Sequence, residues 1–416
     1  MAHDFMDDYV YYHSFYEIPR NFIYWAAIAL LGAVVNRKVH FRHGDIIIHG
    51  NVYVMLVSPQ GISKSTPCDF ARRFFKLACP DYNIGASTQS AEDIVSTMAK
   101  PDFARAYTDE NGQPTELRVY SFFINEFKNF VAYAPSRMLA FLTDIYDRVD
   151  SFDSSTIKRG VESITNPCLN ILACENPQWL INNLKNDVVS GGFSRRIIYV
   201  YEMERSEPKA FIDLTPAAVD ARDRIVQHLV AARSVVGQFK WSNDGRKWYE
   251  PWYNNKQRNL PNNPLMAGYV GTKHVQLFKV AMLLDAASTK PMFLLTAELL
   301  ERALAFLNII EENMPRLSQA AGRNELAAIQ QRAMELIQQS GGWMSEKDLK
   351  REVEVDCNWN EAASMLRHLE ETEQLERREW KFPDGKTRWM LFLPGKMQEL
   401  AAQGVVKVTQ QPKPQQ

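Results

Sequence analysis

Cysteine is scarce in this chain and never patterned: Cys68, Cys79, Cys168, Cys174 and Cys357 fall in no CxxC or Cys/His spacing. Thiols scattered in this way suit a reducing cytosol, and neither a disulfide framework nor a zinc site is expected. An excess of charge of either sign is missing too, with 48 Lys and Arg against 49 Asp and Glu. A net charge near zero excludes a protein that coats nucleic acid through bulk electrostatics, so any contact with DNA must come from local patches. Long apolar runs are also lacking. The longest, Phe22 to Val35, is shorter than the roughly 18 residues of a spanning helix and lies too far inside the chain for a signal peptide. It reads as a buried helix, and no membrane partner is expected.

What is present is an ordinary apolar share, 46% of 416 residues, enough for a sizeable core and two or three domains of roughly 100 to 200 residues each. The chain centres on Asn51 to Phe75, NVYVMLVSPQGISKSTPCDFARRFF. Val52 to Val57 reads as a buried strand and Cys68 to Leu77 as the start of a helix, with a tight loop, Ser58 to Thr66, between them. The phosphate-binding template wants Gly, four residues, then Gly-Lys-Ser/Thr, so that backbone N–H groups wrap a phosphate, the Lys meets its outer oxygens and the hydroxyl holds Mg²⁺. Lys64, Ser65 and Thr66 match, Gly61 lies inside the loop, and Ser58 and Ser63 replace the two template glycines. The following helix would add the positive end of its dipole to an anion site. The alternative is a chance strand-turn-helix with a solvated Lys.

Upstream, Met1 to Tyr16 reads as an aromatic and acidic packing arm with little regularity. Pro19 opens the helix through Asn36, and Lys38 to His49 reads as a hairpin around His43-Gly44. Downstream, Leu117 to Ile124 is a second buried strand ending in Asn125-Glu126. An acidic pair at such a strand end places one carboxylate near the Mg²⁺ shell and the next where it activates water. Here Asn125 could hold a metal-bound water and Glu126 act as the base; the alternative is a surface Glu capping a strand. The polar stretch Arg148 to Gly160 reads as a loop. Asn166 to Pro177 is an apolar strand between Asn-Pro turns, with Asn176 a candidate to position water or simply a turn residue. In Gly191-Gly192-Phe193-Ser194-Arg195-Arg196, either arginine could act as an arginine finger or pair with Glu202 or Glu204.

These stretches, with Pro19 and Trp25, Asn51-Val52-Tyr53, Leu142 to Asp147 (LTDIYD), Asn166-Pro167 and GGFSRRIIYVYE, together resemble a family of phage- and prophage-encoded P-loop ATPases often found beside replication genes. That family is similar to ring-forming AAA+/RecA-like helicase ATPases. The resemblance covers about residues 17 to 205, and GGF-S-R is its most specific part. It implies that Lys64, Ser65 and Thr66 bind ATP phosphates and Mg²⁺, that Glu126 is the acidic residue of the second strand, and that Arg195 is the motif arginine. It further implies a homo-oligomeric ring, such as a hexamer, working with DNA and replication proteins in the cytoplasm of a bacterial host. Ser58 and Asn125 depart from the pattern and bear on catalytic rate more than on binding.

From Thr215 to Ser318 the pattern is helical, apart from an irregular excursion, Trp241 to Pro264, rich in Trp, Tyr, Asn and Pro. It reads as a lid, with Lys273 and His274 either reaching the nucleotide or solvated. Asn324 to Pro394 reads as a winged helix-turn-helix domain whose wing carries Arg377, Arg378, Lys381, Lys386 and Arg388, suited to a phosphate backbone. Its recognition helix is too acidic for a major-groove reader, which leaves protein docking open. The expected fold class is α/β: a three-layer P-loop NTPase core (51–205) with an N-terminal helix and hairpin (1–50), a helical lid (206–320), a C-terminal winged helix-turn-helix domain (321–396) and a disordered tail (397–416). The expected function is an ATP-hydrolysing DNA motor, a replication helicase or helicase loader of a phage or mobile element. The rivals are a catalytically weak nucleotide switch docking on a protein and, less favoured, a packaging or partition motor.

Overall fold

The computed structural model describes residues 4–148, 150–156, 160–184, 192–259, 264–353, 359–381 and 385–402. It divides into two compact units, Met1–Ser318 and Gln319–Gln416. The chain enters through helices α1 (Phe5–His13) and α2 (Arg20–Val35), turns through the hairpin β1 (Val39–His43) and β2 (Ile46–His49), and lays down β3 (Tyr53–Val57). The loop after β3 feeds α3 (Ser65–Ala78), then β4 (Asn83–Ile84), α4 (Ala91–Ala99), β5 (Arg105–Thr108) and β6 (Pro114–Ile124). Helices α5 (Phe127–Val131) and α6 (Pro135–Tyr146), the hairpin β7 (Ser151–Thr156) and β8 (Gly160–Thr165), β9 (Pro167–Glu175), α7 (Pro177–Leu184) and β10 (Ile197–Tyr201) follow.

The central sheet has the order β10-β3-β9-β6-β4, with β5 antiparallel on β6 and every other pair parallel. Every residue of β3, β9 and β10 is buried. A parallel sheet covered on both faces demands such continuous apolar runs, and these strands are accordingly legible in the sequence. On α3, Cys68, Ala71, Phe74, Phe75 and Ala78 are buried at helical spacing, so one stripe packs inward and the rest stays solvated. In α2 only Arg20, Asn21 and Tyr24 escape burial, as a helix wrapped inside a core requires. The chain leaves β3 for the far edge strand β4 and returns at the end to β10 on the other side of β3. That reversal makes β3 the topological switch point, beside which the carboxyl ends of the strands open a crevice.

Several stretches differ from their sequence reading. The N-terminal arm contains a regular helix, α1, capped by Asp4 and held by a bidentate pair from Arg224 to Asp8 at 2.6 and 2.9 Å. The polar stretch read as a loop forms β7, which pairs with β8; one buried cross-strand pair, Phe152 with Ile164, supplies its apolar anchor. The excursion from Trp241 contains a helix, Asn243–Arg258, capped by the Ser242 hydroxyl and carrying Pro251 inside. Tyr249 packs on Phe278 with ring centroids 5.2 Å apart, so aromatic burial overrides the proline. The mainly helical region also supplies two strands, β11 (Gly237–Trp241) and β12 (Leu294–Leu295), to a second sheet of order β12-β11-β1-β2.

In the second unit, β13 (Trp343–Ser345), helices Glu346–Glu352 and Trp359–Glu371, and the hairpin β14 (Glu376–Lys381) and β15 (Thr387–Phe392) follow one another. Their sheet order is β13-β15-β14. Ile337, Leu349, Met365, Leu369 and Leu391 form its core. The boundary between the units falls inside helix Ala297–Gln339. Cys357, the hairpin turn Pro383-Asp384, and residues 403–416 lie outside the described residues, while the first residues of the segment expected as a disordered tail (397–416) belong to a helix, Lys396–Ala402. The other four cysteines are free and buried. No helix among the described residues is long and apolar enough to cross a membrane.

One buried lysine amine ties the helix Pro264–Ala286 to the head of β3. Lys279 Nζ donates to Asn51 O at 2.8 Å and Asn51 Oδ1 at 2.7 Å, and lies 4.4 Å from the centroid of the Tyr146 ring. Burial pulls the amine down from its ordinary 10.5 to about 7, with Asp147 opposing the fall. Between about pH 7 and 10 the unfolded chain therefore binds a proton that the folded chain lacks. Stability from this group rises with pH across that window and is lost as pH falls through 7. Lys279→Met should flatten the dependence of unfolding free energy on pH between 7 and 10 by up to ~1.4 kcal/mol per pH unit, measured by urea unfolding. An unchanged slope would show that the ammonium stays charged in the fold.

Candidate functional site

The register of the parallel strands aligns four carboxyl ends: Val57 stands beside Glu175 and Tyr201, and Ile124 beside Ala173. Whatever follows each strand therefore meets at one edge. Around the loop after β3 lies a cleft of about 520 Å³, bordered by Gly61, Ser63, Lys64, Ser65, Thr66, Asn125, Glu126 and Asn176, with Gln60, Ile62, Lys128 and Glu175 beside them. Residues from three separate stretches of sequence are thus brought together.

Ser58 is fully buried, its N–H 3.3 Å from Glu175 O, so it anchors the loop rather than lining the cleft. Gly61 has φ +81°, a left-handed conformation that side chains disfavour. A Cβ there would also lie 2.7 Å from Arg205 Nη2. Ser63 and Lys64 lead into α3, and Ser65 is its first residue. Lys64 Nζ lies 3.4 Å from Pro59 O, while its carbonyl accepts from Cys174 Sγ at 2.9 Å.

Past β6, Asn125 Nδ2 donates to Asp69 Oδ1 at 3.1 Å. Glu126 is exposed; its Oε2 accepts from Asn129 Nδ2 at 2.8 Å and lies 3.5 Å from Lys128 Nζ. Past β9, Asn176 borders the cleft, but its Oδ1 accepts from Trp179 N at 2.8 Å, the turn-and-cap role open to an Asn before Pro. Glu175, which sequence reasoning passed over, is a second carboxylate at the cleft. It is 2% exposed, and its two oxygens accept from Lys128 N at 2.6 Å and Asn176 N at 2.8 Å. Burial raises its pKa, against the pull of those hydrogen bonds.

The available oxygen donors, a hydroxyl, amides and carboxylates, are hard ligands that suit Mg²⁺. Among the described residues no three His, Cys, Asp or Glu side chains converge as a metal cage. A cation at Ser65 and Asn125 would depend on phosphate and water oxygens for the rest of its shell.

The two arginines after Gly192 part company. Arg196 pairs with Asp147 at 2.5 Å and donates to Gly192 O at 2.7 Å, so its ion pair is real but goes to Asp147 rather than Glu202 or Glu204. A Cβ at Gly192 would lie 2.7 Å from Arg196 Nη1, the mobile end of that side chain. Arg195 is exposed, does not border the cleft of its own chain, and makes no ion pair with a described residue. Lys273 pairs with Glu311 at 2.5 Å and His274 Nδ1 lies 3.3 Å from Lys256 Nζ, so neither borders the cleft.

The five basic residues of the hairpin β14–β15 do not share one surface. Directly opposed residues of an antiparallel pair share a face, and the register sets Arg377 against Leu391, Arg378 against Met390, Trp380 against Arg388 and Lys381 against Thr387. Arg377 therefore lies on one face, Arg378 and Arg388 on the other; the side chain of Lys381 lies outside the described residues. Arg377 is committed to Glu346 at 2.7 Å, with its guanidinium 4.5 Å from the Trp389 ring centroid. Arg378, Lys386 and Arg388 are exposed.

The fold and the cleft define an α/β protein with a polar crevice at the carboxyl ends of a parallel sheet. Compared with protein-family models and with curated proteins, the chain matches none.

Proposed function

We propose that the first unit is a P-loop NTPase core with a helical lid, that the second is a winged helix-turn-helix domain, and that the chain is an ATP-hydrolysing DNA motor. The reading is a replication helicase or helicase loader of a phage or mobile element, acting in the bacterial cytoplasm with replication proteins. The observation that carries it is the cleft that gathers Lys64, Ser65, Thr66, Asn125 and Glu126 at the switch point of a parallel sheet. Lys64 offsets the charge of the outer phosphates. The start of α3 adds its dipole and N–H groups to the same anion. Ser65 and Asn125 would hold Mg²⁺, which when bound neutralises phosphate charge. Glu126, solvated and beside the cleft, takes the proton of the attacking water as the bond to the last phosphate breaks. Arg195, exposed and away from its own cleft, suits a role at a neighbour's site in a homo-oligomeric ring.

Lys64→Ala should weaken ATP binding by about 10- to 100-fold, the loss of one or two charge-assisted hydrogen bonds. Glu126→Gln should hold ATP at the parent affinity yet fail to turn it over, since shape and hydrogen bonding remain and the base is gone. Equilibrium binding of radiolabelled ATP to the full chain reads both affinities, and release of labelled phosphate reads the turnover. Parent affinity in Lys64→Ala would sink the phosphate-site reading, and lost binding in Glu126→Gln would make that residue a ligand rather than a base.

The division of the hairpin's charges sharpens the DNA reading. Arg378→Gln with Arg388→Gln should weaken duplex binding evenly across sequences and flatten the slope of log K against log salt by about 0.9 per lost phosphate contact. Arg377→Gln should lower the melting temperature instead and leave that slope alone. If Arg377→Gln flattens the slope and the double variant does not, the opposite face carries the DNA.

A further inference from the structure

Glu175, the last residue of β9, meets the phosphate loop with its backbone and the turn that carries Glu126 with its side chain. Its carbonyl accepts from Ser58 N at 3.3 Å, where the loop begins. Its Oε2 accepts from Lys128 N at 2.6 Å, 47 residues away in sequence, and its Oε1 from Asn176 N at 2.8 Å. One residue therefore bridges the two walls of the cleft. The neighbouring Cys174 adds a further tie, since its Sγ donates to Lys64 O at 2.9 Å.

The turn that is held in this way has an unusual cap. Glu126 stands at the N-cap of α5, yet its side chain makes no cap hydrogen bond. An acceptor side chain at that position ordinarily bonds the N–H of the second or third helical residue. Lys128 is that second residue, and Glu175 already takes its N–H, so the Glu126 carboxylate is left out of the cap. It is held from the side instead. Its Oε2 accepts from Asn129 Nδ2 at 2.8 Å and lies 3.5 Å from Lys128 Nζ, while Oε1 has no partner among the described residues. The two N–H donors that converge on Glu175 use one oxygen each, a demand that a carboxylate meets and an amide, with a single oxygen, does not. Glu175 is 2% exposed, and burying a carboxylate is tolerable only with such bonds in place.

We propose that Glu175 and Asn129 are positioning residues for Glu126: Glu175 fills the cap that Glu126 would otherwise occupy, and Asn129 fixes Oε2, so that Oε1 is the oxygen that takes the proton of the attacking water. The inference rests on the hydrolytic reading of the cleft and deepens it by naming what holds the base. Without the Glu175 oxygens, the Glu126 carboxylate turns back onto the freed N–H of Lys128 and away from the water. A displacement of about 1 Å costs turnover on the order of 10²-fold, while the phosphate contacts of the loop stay as they were.

The test is steady-state phosphate release by the full chain with Mg²⁺, beside equilibrium ATP binding, for the parent, Glu175→Met, Asn129→Ala and Glu126→Gln. Glu175→Met keeps the length of the side chain and removes both oxygens. It should lower kcat about 10- to 100-fold and leave the ATP dissociation constant within about twofold of the parent. Asn129→Ala, an exposed change, should lower kcat about tenfold at parent affinity. A merely structural role would lower the melting temperature and leave the kcat of the folded protein at the parent value, or would reduce turnover and affinity in step. Parent kcat in folded Glu175→Met or in Asn129→Ala, or affinity falling together with kcat, overturns the assignment while the hydrolytic reading stands. Parent turnover in Glu126→Gln, or no release by the parent, removes the base and this inference with it. Asn129→Ala decides the matter even where Glu175→Met loses its fold.

Discussion

The arrangement depends on β3 being hydrogen-bonded in parallel register along both edges, to β9 on one side and β10 on the other. A strand so held, with every residue buried, has no freedom at its carboxyl end. The loop that follows starts from a fixed point, pinned again where Ser58 N meets Glu175 O and Cys174 Sγ meets Lys64 O. A loop without the two template glycines can hold one conformation because its neighbours impose it, and Gly61 supplies the single left-handed residue the turn needs. The cleft at this edge is thus a consequence of strand register more than of loop composition.

That same register explains what was and was not legible beforehand. Strands β3, β9 and β10 are continuous apolar runs, and a run buried on both faces announces itself in sequence. Lys64, Asn125 and Glu126 stand at the ends of such runs, so their convergence could be argued from the chain alone. Arg205 and Glu202 follow β10 by a few residues in a segment with no periodicity, and only the pairing of β10 with β3 brings them to the loop. Glu175 ends the run of β9 with no signal of its own, beside Asn176, whose side chain caps α7. The hairpin β7–β8 is rich in Ser and Thr with one apolar pair, and helix Asn243–Arg258 carries a proline; in both, contacts distant in sequence override weak local signals. The split of the basic hairpin was, by contrast, readable: Arg377 and Arg378 are adjacent on a strand and must face opposite ways.

Charge in this molecule is used locally, as its balanced composition requires. Arg196 with Asp147, Arg224 with Asp8 and Lys273 with Glu311 are partnered across the first unit, and Arg377 with Glu346 in the second. Against that background of satisfied pairs, Lys64, Arg195 and Arg205 are basic residues whose surroundings leave capacity for an anion. Two of them lie at the loop, and the third, Arg195, is exposed away from the cleft of its own chain.

The central claim is that the crevice at β3 turns over ATP in the service of DNA. Steady-state phosphate release by the full chain with Mg²⁺, measured with and without single-stranded DNA, tests it most directly. The account predicts ATP-dependent phosphate release that rises when the DNA is added. No release above background under either condition would contradict it.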